Sequence, residues 1–262
     1  MNTALSPEIA AQYQRDGFVY FPKLLSPAEV AELKGAVLDT IAEMGRKKVA
    51  DGGREGEAGD SYYDRVFTQR LNLWRLNATV KRFMLNPALG ELLCQLAGVD
   101  GMRVWHDQAL IKEPFGNPTA FHLDNPYWSF FSKSSISVWI ALEDATLENG
   151  CMYFVPGTQE WAEFESVDIG KDLGGLFKRY PRMGTVNPVA VPMKAGDCSF
   201  HNGLVAHGAG ANMTRGRRIA MTCAYMPAGS TFNGQQNILS DAYFASLRQG
   251  DVLANDEWNP AL

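Results

Sequence analysis

Cysteine is scarce in this chain. There are four in 262 residues, at Cys94, Cys151, Cys198 and Cys223, with no CxxC pair among them. That excludes a disulfide framework and reads as reduced, packed thiols in a cytoplasm. No run approaches the roughly 20 apolar residues that a membrane helix needs. The opening MNTALSPEIAAQYQRDG has no basic-then-apolar layout of a secretion signal. The expectation is a cytoplasmic protein with no membrane partner. Positive charge is not in excess: 24 Lys and Arg stand against 29 Asp and Glu, a net −5. A nucleic-acid partner is therefore not expected, although a local basic pocket remains compatible with that balance. Internal repeats and low-complexity tracts are missing. Histidine is also rare, at His106, His122, His201 and His207 only.

What is present suits a folded domain. The hydrophobic fraction is 46% and the charged fraction 20%, ordinary for a globular chain of this length. Ser6-Pro7-Glu8 is a helix start, with a capping hydroxyl and proline at the first helical position, and Gly17 is its stop. FVYFPKLL (18–25) reads as a short strand running into a turn. Ser26-Pro27-Ala28-Glu29 is a capping box, followed by Val30, Leu33, Val37, Ile41 and Met44 on one helical face. Asn86-Pro87 opens another helix, closed by Gly98. From about 102 to 227 the pattern becomes short apolar or aromatic stretches separated by Gly, Pro and Asn, the spacing of a β sandwich or barrel. The predicted organisation is a single domain: a helical part over about 1–100, a β core over about 102–227 and an irregular tail. Two polar segments, 46–60 and 162–185, are candidate lids or plain surface loops.

His122 and Asp124 stand two apart in a stretch that reads as a strand. Such a pair shares one face, about 6.6 Å apart along the backbone. An imidazole, a carboxylate and a second, distant imidazole make the facial triad that leaves one face of an octahedral iron open. HxD alone is a weak signal, because a histidine beside an aspartate arises readily by chance. AGDCSFHNGLVAH followed by GAGANMTRGRR adds to it. His207 is the natural third ligand. Arg218 follows eleven positions later, after a turn rich in Gly and Asn, at the start of an apolar strand that faces the same interior. A guanidinium there can take a carboxylate with two parallel hydrogen bonds, and a buried charge needs such a partner. His201 is read as a packed or supporting histidine, and His106 as a structural histidine or a substrate contact.

These residues resemble the phytanoyl-CoA dioxygenase family over roughly residues 8–227. The resemblance is carried by DGFVYFPKLLSPAEV, HLD, VWIALEDATLENGCMYFVPGT, AGDCSFHNGLVAHGAGANMT and the arginine pair. It implies a mainly β fold with flanking helices, built on a double-stranded β-helix (jelly-roll, cupin-like) core. It implies Fe(II) held by His122, Asp124 and His207, with 2-oxoglutarate held at its far carboxylate by Arg218. It places Gln108, Trp139 and Thr214 near that co-substrate. Trp139 is equally a plain core aromatic, and Asn212 is better read as a turn residue. The implied chemistry consumes O2 and 2-oxoglutarate, releases succinate and CO2, and oxidises a C–H bond, hydroxylation being the default outcome. Related halogenases carry a small residue in place of the carboxylate, so Asp124 argues against halogenation.

The substrate is a small molecule. Tyr127 and Trp128, just after the ligand pair, could form an aromatic wall for an apolar or ring-bearing compound, or could pack the core. Three other readings fit part of the pattern: a cupin-like metalloenzyme without 2-oxoglutarate, a catalytically silent jelly roll that only binds, and a lectin-like sandwich. The first has no use for Arg218, and the other two none for a redox metal. Oligomeric state is not legible.

Overall fold

The computed structural model describes residues 1–50 and 66–262. The caps read from the sequence form as expected. Helix α1 (Pro7–Asp16) starts where Ser6 accepts from the Ile9 amide, and it ends on Gly17 at φ 75°. Strand β1 (Phe18–Phe21) leads to α2 (Pro27–Met44), whose capping box uses both Ser26 and Glu29. Strand β2 (Thr68–Leu71), α3 (Ala78–Met84, capped by Asn77) and α4 (Pro87–Ala97, capped by Asn86) complete the N-terminal part.

The core follows as β3 (Met102–Lys112), β4 (Thr119–His122), β5 (Ile136–Ala141), β6 (Met152–Phe154), α5 (Gly175–Arg179), β7 (Val189–Val191), β8 (Cys198–Asn202), β9 (His207–Ala209) and β10 (Arg218–Pro227), with α6 (Asp241–Ser246) in the tail. The strands form two antiparallel sheets, the jelly roll that was expected. The larger has the order β1-β8-β5-β10-β3-β2 and the smaller β4-β9-β6-β7. One expectation needs correction. The first hundred residues are not only a helical layer, because β1 and β2 supply both edges of the large sheet. Both are four-residue strands whose partners lie far along the chain, so local pattern could not show the pairing.

The large sheet is buried on both faces, and strand alternation decides what each face carries. On β5, Ile136, Val138 and Ile140 join Leu33, Val37, Leu89 and Leu92 of the helices in one cluster. Trp139 and Ala141 point the other way, toward Met152 and Phe154 of the small sheet. The same alternation on β10 sends Ile219, Met221 and Cys223 to the helices. Arg218 and Thr222 face the space between the sheets. Residues on the helix side therefore carry stability, at about 1.5–3 kcal/mol for each fully buried large aliphatic side chain. The opposite side is left for chemistry.

Segment 162–185 is more than a polar interruption. Leu176, Tyr180 and Met183 form an apolar cluster with Leu123, Val155 and Ala206. The Phe121 amide donates to Leu173 O at 3.1 Å, and the Tyr127 hydroxyl donates to Val167 O. Of segment 46–60, residues 51–60 lie outside the described residues. Ala50 and Lys48 exchange backbone hydrogen bonds with Leu71 at the end of β2. No described helix is long and apolar enough to cross a membrane.

Candidate active site

Strands β4 and β9 are neighbours, and His122 and His207 are direct register partners across them. Their ring centroids are 4.2 Å apart. Gly208 permits the close approach: a Cβ there would lie 2.8 Å from Thr119 O.

Asp124 reaches the same point by a route the strand pattern did not foresee. Strand β4 ends at His122, and Asp124 sits in the helical region, at φ −80° and ψ −51°, opening a short turn through Asn125-Pro126-Tyr127. The amides of Asp124 and Asn125 both donate to Gly203 O, at 3.0 and 2.8 Å. Glycine at 203 keeps this approach open, because a Cβ would stand 2.4 Å from Ser135 Oγ and 3.1 Å from Asn125 Cβ. The i, i+2 strand face is thus corrected. It is the Gly203 carbonyl, between β8 and β9, that aims the aspartate.

The three side chains offer ligand atoms that all lie within 4.8 Å of one another. His122 Nδ1 lies 2.8 Å from Ala120 O, and His207 Nδ1 lies 3.0 Å from Val205 O. A carbonyl only accepts, so Nδ1 carries the proton in both rings. With Nδ1 held in this way each ring turns Nε2 inward, and both Nε2 atoms stand 3.5 Å from Asp124 Oδ1. Burial pushes the His207 imidazole down to about 3, with His122 adding to the effect, so His207 is neutral near pH 7. Burial pushes the Asp124 carboxyl up, but the histidines that face it, His207 first, outweigh that and hold it well below the usual carboxylate range. Three acceptors therefore converge with no donor between them, an arrangement that a cation relieves. Octahedral ligands about 2.1 Å from an ion stand about 3 Å apart, close to the 3.5 Å spacing seen here. Two imidazoles and one carboxylate are the donor set of a non-haem iron site.

A cavity of about 310 Å3 joins this centre to Arg218. Arg218 is fully buried, and none of its three side-chain nitrogens has a hydrogen-bond partner among the described residues. Burial pushes its pKa down to about 10, still far above neutrality, so it stays charged with no ion pair among the described residues. Trp139 and Phe67 flank it, with ring centroids 5.1 and 5.6 Å from the guanidinium carbon. Gln108 lines the same cavity. Its Oε1 accepts from Gln69 Nε2 at 2.6 Å, which leaves its own amide N–H groups for another partner. A buried cation beside a metal-type donor set fits an anionic chelator such as 2-oxoglutarate. Thr214 does not join them. Its amide and hydroxyl both donate to Asn212 Oδ1 within the turn, at 3.0 and 2.7 Å, and it lies outside the cavity wall. Asn212 is a turn residue, donating to the carbonyls of Lys112, Glu113 and Gly216.

At the other end, His106, Tyr127 and Trp128 line the cavity. His106 meets Trp128 edge to face, with centroids 6.1 Å apart. Its Nδ1 has no hydrogen-bond partner among the described residues, and burial lowers its pKa to about 4. His201 stands beside the triad but outside it, with Nε2 3.3 Å from Asp124 Oδ2. Leu71, Ile169, Thr222, Asn237 and Ile238 also line the cavity and went unnoticed in the sequence. Thr222 could have been found, four residues after Arg218 on the same strand face. The others come from an edge strand, the 162–185 segment and the tail, and no local signal marks them.

A family model described as phytanoyl-CoA dioxygenase (PhyH) matches residues 13–220. Curated relatives include the dioxygenase lolE1 of Epichloe uncinata, 28% identical over 92% of this chain and 88% of that one. The peroxisomal phytanoyl-CoA dioxygenase of Rattus norvegicus is 27% identical over 86% and 69%. Among solved structures, the non-heme alpha-ketoglutarate-dependent carbocyclase SnoK from nogalamycin biosynthesis is similar with a TM-score of 0.79 at 28% identity, covering 98% of this chain and 96% of its own. The epimerase SnoN, solved with Fe3+, alpha-ketoglutarate (2-oxoglutarate) and nogalamycin RO, has a TM-score of 0.76 at 29% identity, covering 97% of each.

Proposed function

Because this chain belongs to the phytanoyl-CoA dioxygenase family, and is an oxidoreductase dependent on iron(II), 2-oxoglutarate and O2, we propose the following roles for its residues. His122, Asp124 and His207 hold the iron. Arg218 takes the far carboxylate of 2-oxoglutarate in a two-pronged hydrogen bond. Trp139 walls that site, and Gln108 donates its free amide to the co-substrate. The observation that carries this assignment is the unpartnered, buried Arg218 guanidinium in the same cavity as the converging His-Asp-His atoms.

When bound, iron, 2-oxoglutarate and oxygen supply an oxidation that leaves succinate and CO2. The protein's part is placement and dryness. The Nδ1 hydrogen bonds of both histidines hold the Nε2 lone pairs on the metal position, an orientation on which such sites depend. The apolar flanks, Phe67 and Trp139, keep water away from the Arg218 end.

The substrate enters at the mouth formed by His106, Tyr127, Trp128 and Ile238. The aromatic edge there favours a small, ring-bearing or largely apolar molecule with a hydrogen-bonding group for His106 Nδ1. The similarity to proteins acting in nogalamycin biosynthesis supports a ring-bearing substrate. Hydroxylation of a C–H bond is the proposed outcome, and the Asp124 carboxylate opposes halogenation. Screening ring-bearing and aliphatic compounds for stimulated succinate release tests this. Stimulation by straight-chain compounds alone would reject the ring preference.

A further inference from the structure

The two oxygens of Asp124 keep different company. Oδ1 faces the Nε2 atoms of His122 and His207. Oδ2 lies 3.2 Å from Ser137 Oγ and 3.3 Å from His201 Nε2. Ser137 and His201 are register partners on β5 and β8, each 2% exposed. A carboxylate only accepts, so Ser137 donates its hydroxyl and His201 its Nε2–H. Among the described residues this is the only side-chain hydrogen bond that either makes, and His201 Nδ1 has no partner. The Phe154 ring, 5.4 Å from the His201 ring, backs it from the small sheet.

We propose that Ser137 and His201 are a positioning pair that pins Oδ2 of Asp124, so that the carboxylate grips the metal through Oδ1 alone. The proposal rests on the iron-holding role given above to His122, Asp124 and His207. Carboxylates bind metals through one oxygen or both. An octahedral ion offers six positions, and a three-ligand protein site is useful because half of them stay open. A carboxylate free to rotate would bring in its second oxygen and fill one of the open positions. Two donors on Oδ2 prevent the rotation. Neighbouring strands in fixed register supply them, so the pin is as rigid as the large sheet.

The test separates hydrogen bonding from shape. Anaerobic titration with Co(II), read by its visible absorption, is run beside thermal unfolding on Ser137→Ala, His201→Phe, His201→Gln and Asp124→Ala. Ser137→Ala and His201→Phe are each expected to weaken Co(II) binding about 10- to 100-fold and to change the spectrum while the protein stays folded. His201→Gln, which keeps a donor but not the ring, is expected to recover most of that loss. Phe binding like wild type while Gln binds poorly would mean that the ring only fills space, and would overturn the pair. Should His201→Phe fail to fold, Ser137→Ala decides alone, since it removes a single hydroxyl. Asp124→Ala that still binds Co(II) normally overturns the metal assignment and the pair with it. Asp124→Ala that loses the metal, with Ser137→Ala and His201→Phe unchanged, overturns the pair alone.

Discussion

Replacing Arg218 by methionine should have two effects of opposite sign. In the protein without co-substrate the guanidinium is fully buried with no hydrogen-bond partner among the described residues. The fall of its pKa from an ordinary 12.5 to about 10 corresponds to about 3 kcal/mol against the charged form. The faces of Trp139 and Phe67 return about 1–2 kcal/mol of that. Methionine has similar length and no charge, so the variant without 2-oxoglutarate should be more stable by about 1–2 kcal/mol, within the range seen when buried ions give way to apolar residues. In a chain of this size that is a rise in Tm of about 2–8 °C. Binding of 2-oxoglutarate should move the other way. Two charge-assisted hydrogen bonds at about 1.5–3 kcal/mol each predict an affinity loss of roughly a hundred- to ten-thousand-fold, with the metal still bound. Thermal unfolding without co-substrate and anaerobic titration of the iron–2-oxoglutarate charge-transfer band measure the two effects. A lower Tm together with unchanged 2-oxoglutarate affinity would show that Arg218 is a packing residue, and would refute its role as anchor.

The other predictions are simpler. His122→Ala, Asp124→Ala and His207→Ala should each lose iron binding and succinate formation together; an active His207→Ala beside a metal-free His201→Ala would exchange the two histidines' roles. Adding a divalent metal at a hundred times its Kd should stabilise the wild-type protein by about 2.7 kcal/mol, and unfolding midpoints that ignore metal would count against the site. Gly203→Ala should cost about 1–3 kcal/mol and weaken metal binding, since the new methyl meets Ser135 Oγ and displaces the carbonyl that aims Asp124; Co(II) titration and Tm report both. Burial holds His106 at about 4 when folded, against 6.5 in the open chain, so its stabilising contribution is full above pH 6.5 and is lost as pH falls toward 4, by about 3 kcal/mol. His106→Gln should flatten that part of the acid dependence in denaturant melts, and an equal slope in both proteins would reject it.

The helix starts were legible because caps are local: Ser6, Ser26 and Asn86 announce themselves within four residues. Strand β2 and α3, of four and seven residues, were not seen, because elements so short carry too few periods to stand out. The convergence of His122, Asp124 and His207 and the presence of Arg218 in the same cavity were legible through the HxD pair and the His207–Arg218 spacing. The mechanism that delivers Asp124 was not, since it depends on a carbonyl of Gly203 some eighty residues away. Thr214 misled for a related reason: a hydroxyl in a tight turn is free on paper, but here Asn212 occupies it. The cavity mouth was the least legible part, because its walls meet only once the sheet, the 162–185 segment and the tail have packed.

That division of labour has a practical outcome. The proposed oxidising centre draws on β4, β9 and β10 and on the turn after β4 that the Gly203 carbonyl holds. Leu71, Ile169, Asn237 and Ile238, which line the same cavity, sit on an edge strand and two irregular stretches. Reagents could be exchanged at the doorway without disturbing the furnace. Combinatorial libraries confined to those four positions should retune which compounds are accepted while leaving cofactor loading intact.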